Sequence, residues 1–280
     1  MAAQPDWLRQ VPTDKQLPAD AVVVHTGCGT SFHAAQTGGW AVQALEAVLR
    51  APRADIMVCV SHEGGTPLTM EAERAFGGDY WLVTGNPDSE IAQLVDEVIV
   101  AAPEIERSWC HTASYTCAVA AIAAMHGHDI SWLAGAVELE LEKPAVPFEQ
   151  DRVLIVGAGR DWPTAQEAAL KLREGAWVDA TAYETEQILH GHLAAVDGSF
   201  RAYVLEGEWR AADRSAEVVS ALGKLGVETT LVPTQHPVVD IVQFQLLTVA
   251  VAEARGIDPD PIRRTPGSPW ADAGGMAYPG

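Results

Sequence analysis

The stretch Ala21-Val-Val-Val-His-Thr26, followed by Gly27-Cys28-Gly29 and then by a helix-like segment from Thr30, decides the fold. A short β-branched run that stops at glycine and turns directly into a helix is the opening of a parallel βαβ unit, because a strand buried on both faces needs no polar alternation. The same opening returns about half a chain later. Val153-Leu-Ile-Val156 ends in Gly157-Ala158-Gly159 and leads to a helical stretch from Pro163 to about Trp177. Two copies of one opening predict two α/β halves. Further apolar runs predict strands at 55–61, 80–84 and 97–100 in the first half and at 202–205 and 228–232 in the second, with helices between them. The acidic run from Glu138 to Asp151, with Pro144 and Pro147, predicts the tail of a helix and then a linker. It separates a first domain, 1–143, from a second, 144–280. After Gly256 the chain is rich in Pro and Gly without an apolar period, which predicts an extended arm belonging to the second domain.

A chain of 280 residues with 48% hydrophobic residues is long enough for two independently cored domains. The excess of 38 acidic over 18 basic side chains gives a net charge of −20, which repels a phosphate backbone. Nucleic acid is therefore not an expected partner, and an anionic ligand has to be held by backbone N–H groups or a few local cations. Cys28, Cys59, Cys110 and Cys117 form no CxxC pair, and no charged-then-apolar leader opens the chain, so a reducing cytoplasm is the expected location. The apolar stretch 116–125 is shorter than the roughly 20 residues that cross a bilayer. It reads as a buried helix, and no membrane association is expected.

A glycine turn at the carboxyl end of a strand, running into a helix N-terminus, presents free N–H donors to an anion. Dinucleotide binding needs a third glycine that both copies lack, with Phe32 and Trp162 at the corresponding positions, and no GK[ST] of a P-loop occurs. A tight turn with no ligand remains an alternative for the second copy.

Beyond the first turn, Gly27-Cys-Gly-Thr-Ser-Phe-His-Ala34 resembles the first sugar-binding loop of the SIS (sugar isomerase) family. Ser61-His-Glu-Gly-Gly-Thr66 resembles its second loop, usually Ser-Gln-Ser-Gly-Glu-Thr, and Pro103-Glu-Ile105 with 112–116 resembles its third. Glu167-Ala-Ala-Leu-Lys-Leu-Arg-Glu174, followed by His190-Gly191, resembles the catalytic stretch. The resemblance implies two tandem SIS domains, each a five-stranded parallel sheet flanked by helices, with a sugar derivative bound where they meet and a homodimer as the assembly. It implies substrate contacts from Gly29, Thr30, Ser31, Ser61, His62, Glu63, Thr66 and Thr112. It also implies a catalytic group of Glu174, Lys171 and His190, in which Glu174 moves the proton between C1 and C2 and His190 assists ring opening. A carboxylate and an imidazole are what aldose–ketose interconversion needs, so the residue types agree with these roles. For Glu174 alone the other reading is a solvated helix charge.

Neither a cofactor nor a metal is expected. The pairs His190/His192 and His126/His128 are incomplete ligand sets, since catalytic zinc usually takes three protein ligands. Glu63 stands where the family's phosphate loop usually has a second Ser, and it either disfavours a phosphate or points to solvent as a loop cap. Gly267 falls where the related synthases carry a Schiff-base Lys, so that chemistry is not expected, and no glutaminase segment is present to deliver ammonia. Gln187 and Ala113 replace a Glu and a Lys that are common in the family. The expected function is an aldose–ketose isomerase or deglycase acting on a sugar phosphate or amino sugar. The alternative is a non-catalytic sugar sensor built from the same domains.

Overall fold

The computed structural model describes residues 1–274. The chain divides into two compact units, Met1–Leu139 with the segment that starts at Arg263, and Glu140–Ile262. This division falls slightly before the 143/144 boundary read from the sequence, and it groups the tail with the first unit. Residues 275–280 of the expected second domain lie outside the described residues.

Unit 1 runs α1 (Gln4–Leu8), β1 (Val23–Thr26), α2 (Thr30–Gln36), α3 (Ala44–Leu49), β2 (Ile56–Val60), α4 (Pro67–Ala75), β3 (Asp79–Thr84), β4 (Glu97–Val100), α5 (Ala113–Met125) and α6 (Leu133–Leu141), the last ending just inside unit 2. Its four strands pair in the order β1-β2-β3-β4, all parallel. Every residue of β2 is buried, which is why the run Ile-Met-Val-Cys-Val carries no polar alternation. One core cluster joins Val24, Met57, Cys59, Tyr80 and Leu82 of the strands to Ala47 of α3 and Ala72 of α4. Helix α5, apolar on all sides, is buried along nearly its whole length, as the all-round apolar surface requires.

Unit 2 runs β5 (Arg152–Gly157), α7 (Trp162–Ala176), β6 (Asp179–Glu184), α8 (Thr185–Leu189), β7 (Phe200–Leu205), α9 (Arg210–Lys224), β8 (Glu228–Val232) and α10 (Pro237–Ala254). Its strands pair in the order β6-β5-β7-β8, again all parallel. Leu154, Val156, Ala202 and Val204 pack on Val218 and Leu222 of α9. Helix α7 packs against α10, with Leu172 and Val251 fully buried. Burying such a leucine stabilises by about 1.5–3 kcal/mol. By length and composition α10 is the one helix among the described residues able to cross a membrane, and 67% of it is buried within the fold.

Each sheet therefore has four strands and not the five implied by the family resemblance. In unit 1 the additional strand is reduced to one parallel bridge between His25 and Ala41, in which His25 N–H donates to Trp40 O and Val42 N–H donates to His25 O, both at 2.9 Å. In unit 2 the chain after β8 reaches Pro233 and Pro237 and enters α10 with no β-branched run left to form another strand. Edge strand β6 was not among the runs read from the sequence. Asp-Ala-Thr-Ala-Tyr-Glu is polar and small, and much of its surface is solvated. The tail is not wholly extended: α11 (Pro269–Gly274) forms one short helix, and the Arg264 guanidinium lies 5.1 Å above the Trp109 ring within unit 1.

Candidate functional site

In unit 1 the expected ligand residues sit at the carboxyl ends of β1 and β2 and at the start of α5. Gly29 precedes α2 with φ 54°, and Thr30 and Ser31 form the first turn of that helix. Ser61 is 4% exposed, and its N–H donates to Val83 O at 3.0 Å, which holds the second loop on β3. Thr66 is the N-cap residue of α4. Between them Gly64 has φ 70°, and a Cβ there would lie 2.1 Å from Ser89 Oγ, so the turn admits only glycine. Glu63 is exposed, and its backbone carbonyl accepts from Asn86 Nδ2 at 3.0 Å.

His62 and Thr112 are already engaged within the protein. His62 Nε2 accepts the Glu106 N–H at 2.9 Å, and the His62 carbonyl accepts from Gly85 N–H and Thr84 Oγ1, both at 3.0 Å. Burial, with the neighbouring His111, pushes the His62 imidazole down to about 4 despite the Glu106 charge nearby. Thr112 donates through both its N–H and its hydroxyl to the Glu106 carboxylate. Glu106 went unassigned in the sequence reading, which matched Pro103-Glu104-Ile105 to the third loop. Those three residues are exposed, and Glu106 is the acid turned onto α5. Burial raises the Glu106 carboxyl, but hydrogen bonds from Ser114 and Thr112 outweigh it and the net shift is downward.

In unit 2 the structure brings Lys171 and Glu174 together and adds Glu167. The three lie on one face of α7 at i, i+4 and i+7 spacing. Lys171 is 1% exposed, and its Nζ lies 2.6 Å from Glu174 Oε2 and 3.3 Å from Glu167 Oε1. Glu167 is fully buried, whereas the Glu174 side chain is 22% exposed. Of the two carboxylates, only Glu174 presents surface to a ligand. His190 closes α8, is 69% exposed at its side chain, and places Nε2 2.8 Å from Glu186 Oε1, while Arg214 clamps the same carboxylate through Nε and Nη2 at 2.7 and 2.9 Å. His192 packs instead on the Tyr183 ring at 4.6 Å. Among the described residues no group of three or more His, Cys, Asp or Glu could hold a metal ion.

No protein-family model matches the chain. Over 84% of its length the chain is 25% identical to the glutamine–fructose-6-phosphate aminotransferase (isomerizing) of Gloeobacter violaceus and 26% identical to that of Xanthomonas campestris pv. campestris, covering 49% of each. The family resemblance read from the loops holds. The chain spans about half the length of the curated relatives it matches. The fold is shared with the C-terminal domain of glucosamine-fructose-6-phosphate aminotransferase from Francisella tularensis, with a TM-score of 0.77 at 19% identity over 92% of this chain and 96% of that one. It is shared as well with tagatose-6-phosphate ketose/aldose isomerase from Escherichia coli, with a TM-score of 0.74 at 15% identity over 96% and 95% of the two chains. A glucosamine-6-phosphate deaminase from Thermotoga maritima has a TM-score of 0.72 at 18% identity over 93% of each chain. The likeness to these three solved structures is one of fold.

Proposed function

We propose that the protein is an enzyme that binds a sugar phosphate or amino sugar through the loops of unit 1 and moves a proton between C1 and C2 with Glu174, as an aldose–ketose isomerase or a deglycase. The observation that carries this reading is the Glu167–Lys171–Glu174 group on α7. A lysine buried to 1% exposure between two carboxylates is costly to assemble, and the one partly exposed member is the residue suited to act as a base. Lys171, with its Nζ 2.6 Å from Glu174 Oε2, orients the Glu174 carboxylate. His190, paired with Glu186 at 2.8 Å, is the group for ring opening. Ser61, Thr66, Thr30 and Ser31 supply hydroxyl and N–H donors to the ligand. The relatives' names, which cite sugar 6-phosphates, support a ligand of this class. A homodimer in the reducing cytoplasm is the proposed assembly and setting.

The test is turnover of a panel of hexose phosphates, amino sugars and their unphosphorylated forms by wild type and by Glu174→Gln. Loss of a general base costs about 10²–10⁴ in rate. Near-normal kcat in Glu174→Gln refutes the role of Glu174, and tight binding without turnover in wild type turns the reading toward the sensor.

A further inference from the structure

Helix α5 begins in a ring of donors that are already in use. The N–H groups of Thr112, Ala113 and Ser114 and the hydroxyls of Thr112 and Ser114 all converge on the Glu106 carboxylate at 2.7 to 3.1 Å. Amides of a first helical turn have no acceptor within the helix, and they carry the positive end of its dipole. A small oxyanion is what such a turn takes, and here the chain supplies its own. The N–H of the same residue donates to His62 Nε2, so that nitrogen is unprotonated and the neutral ring carries its proton on Nδ1. The ring is closely confined. A Cβ at Gly85 would lie 2.4 Å from His62 Cε1 and 2.6 Å from Nδ1, and the His111 ring stands edge-on with its centroid at 5.4 Å. His111 Nδ1 in turn lies 3.0 Å from Ser114 Oγ. Glu106, 44 residues after His62 in the chain, thus joins the second loop to the start of α5.

We propose that Glu106 is a positioning residue for the ligand loops, which rests on the sugar-derivative reading above. It fixes the loop 61–66 to α5 and, by seating its own carboxylate there, closes the α5 terminus to a ligand's phosphate or carboxylate. His62 and Thr112 serve the site by holding its shape.

Isothermal titration of inorganic phosphate into wild type, Glu106→Ala and Glu106→Gln tests this without any need for turnover. Glu106→Ala vacates the donors and is expected to bind one more phosphate per chain than wild type, with a phosphate-dependent rise in Tm that wild type does not match. Glu106→Gln keeps an acceptor oxygen but turns an amide N–H₂ onto the Ser114 donors, so a lowered Tm with no additional phosphate is expected. The His62 Nε2 nitrogen resonance is expected to shift in Glu106→Ala, because the backbone N–H that donates to it is kept by Ala but is no longer anchored to α5 through the carboxylate. Equal phosphate stoichiometry in Glu106→Ala and wild type overturns the proposal, as does an unmoved His62 signal. If Glu106→Ala does not fold, Glu106→Ser, which likewise removes the carboxylate, is titrated against the same two outcomes. Failure here leaves the sugar reading standing. Conversely, an extra phosphate in Glu106→Ala together with no sugar bound by wild type removes that reading and keeps the role of Glu106 in the loop.

Discussion

Units 1 and 2 start from the same strand, glycine turn and helix, yet they spend their polar residues differently. In unit 1 the carboxyl ends of the strands carry Thr30, Ser31, Ser61, His62 and Thr66, and two imidazoles, those of His25 and His62, are desolvated. His25 is 1% exposed, its Nδ1 lies 3.2 Å from Trp40 O, and its Nε2 meets His126 Nε2 at 3.2 Å. Burial holds the His25 imidazole down at about 4, as it does that of His62. In unit 2 the corresponding ends carry acids. Asp161 is fully buried and accepts from Thr234 Oγ1 at 2.9 Å, and Asp240 accepts from Gln235 N–H at 2.9 and 3.2 Å. Burial pushes the Asp240 carboxyl up to about 7, with backbone hydrogen bonds opposing and Asp161 adding to the rise. Asp240 also lines a cavity of about 430 Å³ with Arg201, Thr230, Thr234 and Gln243. The same βαβ frame thus carries imidazoles whose pKa burial lowers in one unit and aspartates whose pKa burial raises in the other. Side-chain chemistry at the strand ends is free to vary because the frame is held by the buried strands.

The strongest way to break this contrast is through the one buried ion group of unit 2. Lys171→Met removes the cation that faces both Glu167 and Glu174, and loss of one partner from a buried pair costs about 3–5 kcal/mol. Urea denaturation of Lys171→Met that shows a loss below about 1 kcal/mol would mean that the carboxylates are satisfied without the lysine.

A second way uses pH, because the two units respond with opposite sign. His25 and His62 stay neutral in the fold down to about 4 while the unfolded chain takes up protons from about 6.5, so unit 1 loses stability as pH falls through that window. The Asp240 carboxyl has a raised folded value, so its contribution is fully present below about 3.8 and is lost as pH rises toward about 7. Native-state proteolysis at about pH 4.5 and about pH 7, with the cleavage sites mapped, is expected to move from unit 1 to unit 2. Cleavage that shifts in the same direction in both units contradicts the assignment. A smaller effect isolates the acid. Asp240→Asn keeps an acceptor for the Gln235 N–H but cannot ionise, so the fall in Tm of unit 2 between about pH 5 and about pH 8 is expected to flatten.

The smallest expected effect lies in the second loop. Glu63 is exposed, and an exposed charge is worth about 0–1 kcal/mol, so Glu63→Ser should improve the affinity for a hexose 6-phosphate by less than about tenfold. A larger gain by isothermal titration would place the Glu63 carboxylate against the ligand.

The strand runs, the glycine turns and the helix after each of them were legible from residue order alone, because a buried parallel strand and a tight turn are each written in a few neighbouring residues. Lys171 and Glu174 were named through the family resemblance of the stretch 167–174, and Glu167 opens that stretch without being singled out. Residue order did not reveal β6, whose polar edge carries no strand pattern, or the reduction of one strand to the bridge at Ala41, which depends on what its neighbours already pair with. It also left Glu106 unread, since six residues separate that carboxylate from Thr112 and only the path of the loop brings them together. The protonation of His25, His62 and Asp240 was set by burial among distant parts of the chain. Local sequence thus determined which elements form, and tertiary structure decided which polar groups are spent holding the loops, because hydrogen bonds and desolvation depend on distances in space and not along the chain.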